Sequence, residues 1–171
     1  MSPLPPDDLA HDLVAVDPDD PALTHLGVVG DTYTILVTGQ QTDGRYAVID
    51  MLVPPGGGPP PPRHTFDEMF HVLDGEVEIT FRDRTTTVRT GQTASIPANA
   101  PHRFANVADA PARLLCTVAP AGLEEYFAIF GDPVGSRTAP APRLSADELG
   151  ERLARAAEAA ERYGIENLPP V

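Results

Sequence analysis

Residues 54–62 read Pro-Pro-Gly-Gly-Gly-Pro-Pro-Pro-Pro, and no other feature narrows the folding choices of this chain so much. Proline donates no backbone N–H and glycine offers no side chain to pack, so the stretch is neither helix interior nor central strand. It is a connector, and the text on both sides of it is β-like. Before it stand residues 32–37 and 45–53, with turn residues from Gly39 to Gly44 between them. After it come runs at 69–73, 76–82, 85–89, 93–96, 102–106 and 113–119. Asp74-Gly75 and Asp83-Arg84 are expected hairpin tips. Val77, Ile79 and Phe81 alternate with Glu78 and Thr80, the period of a strand with one buried face. Many short strands with closely spaced turns predict an all-β sandwich or barrel, not βαβ units.

The ends of the chain read differently. Residues 1–26 form an expected irregular arm, broken by Pro3, Pro5, Pro6, Pro18 and Pro21. The barrel is expected over 27–130, a second Pro/Gly-rich connector over 131–143, and a helix with its tail over 144–171. The helix itself is placed at 146–163. Ser145 followed by Glu148 makes a capping-box pattern, and Gly164 is a natural stop. Leu149, Leu153, Ala156, Ala160 and Tyr163 recur at helical spacing, the stripe of a helix lying on the barrel wall or docking a partner. Residues 124–130 suggest a shorter helix over one barrel end.

Charge and composition exclude several kinds of chemistry. The net charge is −13 and all twelve basic residues are arginine, so lysine Schiff bases and P-loop lysines are out. Such an acidic chain repels phosphate backbones, and nucleic acid is not an expected partner. No run approaches the ~18 apolar residues of a membrane span. The first twenty residues lack a basic start followed by an apolar run, so no secretory signal is expected and the cytoplasm is the expected location. Cys116, the sole cysteine, excludes an internal disulfide and a thiolate cage and reads as a small buried hydrophobe. The partner that remains is a neutral or weakly charged small molecule.

Candidate chemistry lies on two strand faces. His64 and Glu68 are four apart and share a face with Phe66, Phe70 and Val72. His102, Phe104 and Asn106 share another. A barrel that brings these faces together places two imidazoles and a carboxylate in an apolar interior. That set suits a divalent transition metal, or acid–base work without one. His71, three residues from Glu68, falls on the opposite face. His11 and His25 lie in the arm and read as surface residues. Arg63 and Arg103 alternate away from the candidates and are expected in surface ion pairs.

The spacing carries a resemblance. Gly56, position 62, His64, Glu68 and Gly75 stand at the intervals of the first cupin motif. Gly91, Pro97, Asn99, His102 and Asn106 resemble the second. The likeness spans about residues 28–120 and implies a cupin-type double-stranded β-helix, a jelly-roll barrel, with an irregular N-terminal arm and a C-terminal α-helix. Asn99 stands where the second motif usually has glycine; asparagine tolerates the left-handed backbone such a turn needs. Pro62 stands where cupins usually place their first metal-binding histidine, which reduces the usual ligand set to His64, Glu68 and His102. These three are the expected catalytic and metal-binding residues, with Fe, Mn, Ni, Zn or Cu as the ion. Phe66, Phe70 and Phe104 are the expected walls of a substrate pocket. The resemblance further implies a homodimer. It leaves three functions open: oxygenase-type chemistry on an aromatic or polyketide-like molecule, a metal-free isomerase or cyclase, and a small-molecule sensor.

Overall fold

The computed structural model describes residues 3–7, 9–60 and 62–168; Pro61 of the Pro/Gly stretch lies outside the described residues. The chain opens its regular structure with β1 (His25–Val28), β2 (Asp31–Val37) and β3 (Ala47–Val53). Across the Pro/Gly stretch follow β4 (Pro62–His64), β5 (Asp67–Asp74), β6 (Glu76–Phe81) and β7 (Arg84–Arg89). Then come β8 (Thr93–Ile96), β9 (His102–Ala105) and β10 (Ala112–Ala119). The last elements are α1 (Leu123–Phe130), β11 (Asp132–Pro133), α2 (Ala146–Ala160) and β12 (Ile165–Asn167).

Every pairing is antiparallel. A seven-stranded sheet runs β11-β1-β2-β3-β10-β5-β8, facing a three-stranded sheet β7-β6-β9, while β4 pairs with β12. This is the expected jelly-roll architecture. Period-two alternation decides which side chains fill it: Glu68, Phe70 and Val72 on β5, and Ala112, Leu114, Cys116 and Val118 on β10, are all buried. Phe70 meets Phe104 edge-on at 5.1 Å, joining the large sheet to the small one across the core. Burying each such ring contributes about 2 kcal/mol before packing terms.

Several expectations are corrected. β1 lies partly inside the stretch read as an irregular arm, and His25 is not a surface residue. It is 4% exposed, with Nδ1 2.8 Å from the Thr34 hydroxyl on the neighbouring strand. Asp74-Gly75 is not a hairpin tip, because β5 and β6 belong to different sheets. Gly75, at φ 74°, swings the chain from one sheet to the other. A Cβ there would stand 3.0 Å from the Pro111 carbonyl oxygen. The true hairpin, β6 to β7, turns at Arg82-Asp83, one residue earlier than expected.

The C-terminal helix forms as its caps dictate. Ser145 and Glu148 make the reciprocal capping box, and Gly164 closes the following 3-10 turn at φ 64°. Its place differs from the expectation: α2 packs on α1 and across the barrel mouth rather than along the wall. Beyond it the tail returns as β12 to pair with β4, Ile165 opposite His64 and Asn167 opposite Pro62. No helix among the described residues is long and apolar enough to cross a membrane.

Candidate functional site

His64 ends β4, Glu68 is the second residue of β5, and His102 opens β9. The loop before His102 is tied to the strand of His64, since the Asn99 N–H donates to the His64 carbonyl at 2.6 Å. Asn99 manages this at φ 65°, the left-handed conformation expected of a residue in glycine's place. Asp67 adds a second tie by accepting from the Ala98 N–H at 2.9 Å. At the far end of β9, Asn106 donates to the carbonyls of Val53 and Ala110. It anchors the strand and stays out of the site.

The three side chains converge. One ligand atom from each of His64, Glu68 and His102 lies within 4.8 Å of the others, and all three residues are buried. Nε2 of His64 is 3.2 Å, and Nε2 of His102 3.0 Å, from the same oxygen, Glu68 Oε2. The opposite ring nitrogens are spoken for. His64 Nδ1 lies 2.8 Å from the Phe66 carbonyl and His102 Nδ1 3.0 Å from the Ala100 carbonyl. A carbonyl only accepts, so each Nδ1 carries a hydrogen and each Nε2 is the nitrogen that faces the carboxylate, as a lone pair when the ring is neutral and as an N–H when it is protonated.

Two lone pairs and a carboxylate oxygen repel unless a cation stands among them. A proton supplies one solution. Burial pushes the Glu68 carboxyl up, yet hydrogen bonds from His102 and His64 overcome that and hold it at about 2. Burial pushes His102 down, but contact with Glu68 raises it above its ordinary range. A divalent transition metal supplies the other. The donor set of two imidazole nitrogens and one carboxylate oxygen fits such an ion, with backbone carbonyls fixing both imidazole tautomers from behind.

The cluster opens on a cavity of about 270 Å³. Phe70, Phe104, Tyr33 and Met51 line it from the barrel, and Tyr126, Phe127 and Phe130 from α1. Leu153, Ala156 and Ala157 of α2, with Ile165 and Asn167 of β12, complete the wall. Sequence reasoning did not assign these helix and tail residues to the site; their apolar spacing looked the same as that of any packed helix. Two expected wall residues, Phe70 and Phe104, are present, whereas Phe66 is not. It lies flat against His64, ring centroids 3.9 Å apart at 3°, and faces a separate groove. Pro62 lines the cavity but offers no ligand atom.

Neighbouring residues sort themselves by strand alternation. His71 turns away to Thr93, with Nδ1 2.8 Å from its hydroxyl. Arg63 pairs with Glu166 across β4 and β12. Arg103, exposed and without an ion pair among the described residues, lies at the cavity lining instead. Cys116 is buried as expected, but its Sγ lies 3.3 Å from Glu68 Oε1. Burial, and then the Glu68 charge, pushes that thiol well up, so it stays protonated.

The cupin domain family model matches residues 49–118, a span that holds His64, Glu68 and His102. These residues are a cupin domain. Among solved structures, a predicted oxalate decarboxylase from Thermotoga maritima superposes with a TM-score of 0.57 at 14% identity. That match covers 62% of this chain and 98% of the other. The polyketide cyclase RemF from Streptomyces resistomycificus gives 0.56 at 21% identity, over 80% of this chain and 90% of its own. At these identities both structures speak to the fold alone. An uncharacterized protein of Methanocaldococcus jannaschii is 27% identical over 73 residues, 42% of this chain. The match spans 58% of that protein's length.

Proposed function

We propose that this cupin holds a divalent transition metal on His64, Glu68 and His102 and performs oxygenase-type chemistry on a small aromatic or polyketide-like molecule. The observation that carries the reading is the pair of Nδ1–H contacts to backbone carbonyls, which aim both Nε2 lone pairs at one carboxylate oxygen. A bound ion of this kind supplies Lewis-acid or redox chemistry.

The chain's own residues do the rest. Phe70 and Phe104 form an edge-on pair beside the cluster, and Tyr126 and Phe127 close the opposite side, a setting that holds a ring by its faces and edges. Apart from the cluster and Arg103, the cavity lining carries no charged side chain among the described residues, so a neutral or weakly charged guest fits. The α2 helix covers the mouth and limits the water that reaches the reacting atoms. The resemblance adds a homodimer.

A second reading is a metal-free cyclase or isomerase, with Glu68 and His102 as a coupled acid–base pair. Pro62 favours it, because a ligand position usual in cupins is unavailable here. One screen separates the two. Flavonoids and aromatic polyketides are expected to raise the melting temperature through binding, and a chelator to shrink the shifts. Shifts untouched by chelator remove the metal reading, and turnover then separates the metal-free enzyme from a small-molecule sensor. An absence of shifts across the screen overturns both.

A further inference from the structure

The Glu68 carboxylate is held at both ends, but by different partners. Oε2 faces the two histidines, while Oε1 points into the sheet, where Cys116 Sγ at 3.3 Å is its hydrogen-bond partner among the described residues. Cys116 has no solvent exposure and sits mid-strand on β10, between the inward residues Leu114 and Val118. Its neighbours in register are Phe70 on β5 and Ile49 on β3. Packing alone would be served there by valine or alanine. The sulfur is not itself a ligand: the atoms near enough to share an ion come from His64, Glu68 and His102.

We propose that Cys116 is a positioning residue: its S–H donates to Glu68 Oε1, fixes the rotation of the carboxylate, and leaves Oε2 as the one oxygen turned toward the histidines. A thiol is a weak donor, but its acceptor here is a carboxylate in a dry interior, where such a bond is strengthened. Without it Oε1 is a buried oxygen with no partner, and the carboxylate turns to share both oxygens with whatever cation the cluster holds. The consequence for metal affinity rests on the metal reading above; the contact itself does not.

Cys116 is the sole cysteine, so the S–H stretching band in the infrared reports on this one bond. In metal-free protein the band is expected at the lowered frequency of a bonded thiol and is expected to move when Glu68→Gln removes the charge. A band that stays in place overturns the contact. Co2+ titrations of wild type, Cys116→Ser and Cys116→Val, by chelator competition and visible absorption, test the consequence. Serine keeps a donor and is expected to bind Co2+ with an affinity and spectrum close to wild type. Valine keeps the bulk and is expected to bind about ten- to a hundredfold more weakly, with a changed spectrum, the usual cost of losing support behind a ligand. Valine matching wild type while serine fails would make Cys116 a packing residue and overturn the proposal. If wild type takes up no Co2+, the metal reading falls, and the infrared arm alone decides the contact.

Discussion

The Tyr33 hydroxyl donates to Asp31 Oδ2 at 2.9 Å, while the other oxygen of that carboxylate has no hydrogen-bond partner among the described residues. Both residues are buried, and Oδ1 lies so close under Gly57 that a Cβ there would collide with it. Asp31 is therefore a buried acid beneath the Pro/Gly loop whose later prolines line the cavity. Burial pushes it up to about 7, against partial lowering by Tyr33 and the Gly58 amide.

Asp31→Asn is expected to change how stability depends on pH. The folded protein holds this proton more tightly than the unfolded chain, so the contribution of Asp31 falls as pH rises from about 4 to about 7 and then levels off. At three pH units the loss is roughly 4 kcal/mol. Asparagine cannot ionise, so the variant should match wild type near pH 4 and melt at a higher temperature at pH 8. Parallel melting curves at every pH would show that Asp31 ionises without cost.

His102 gives a second titration. Burial lowers it and Glu68 raises it, and in the metal-free protein Glu68 wins. Glu68→Gln leaves burial opposed only by the bond to the Ala100 carbonyl, so His102 should titrate at a lower pH than in wild type. The ring proton signals of chelator-treated protein, followed by NMR across pH, read this directly. An unchanged midpoint would mean that the 3.0 Å contact is not the source of the shift.

What the sequence made legible was local or motif-borne. Alternation marked β6, short β-like runs marked β5 and β10, and the Ser145, Glu148 and Gly164 signals marked α2 because capping is decided within a few residues. The convergence of His64, Glu68 and His102 was legible through spacing. What stayed hidden depends on distant partners. Nothing in residues 25–28 announces a strand until β2 and β11 lie beside it, and His25 looks like any surface histidine until Thr34 meets it. Gly75 permits both a hairpin and a crossing between sheets, and only the core decides. The sulfur of Cys116 and the flat packing of Phe66 on His64 are matters of side-chain direction that strand periodicity does not specify.

Pro62 is two residues before His64 on β4 and lines the cavity. Pro62→His should add an imidazole to the three side chains of the proposed ligand set. Affinity for Zn2+ or Co2+ is expected to rise by about tenfold or more. Chelator competition measures it. Affinity equal to wild type would mean that a side chain at position 62 does not reach the ion.

If His64, Glu68 and His102 hold a metal, the metal content of the protein reads it out. Elemental analysis of freshly purified, untagged protein should find Fe, Mn, Ni, Zn or Cu, up to one ion per chain. The His64→Ala/His102→Ala double variant, shown to be folded by circular dichroism, should carry none. Equal metal in the two proteins would mean that these histidines hold no ion.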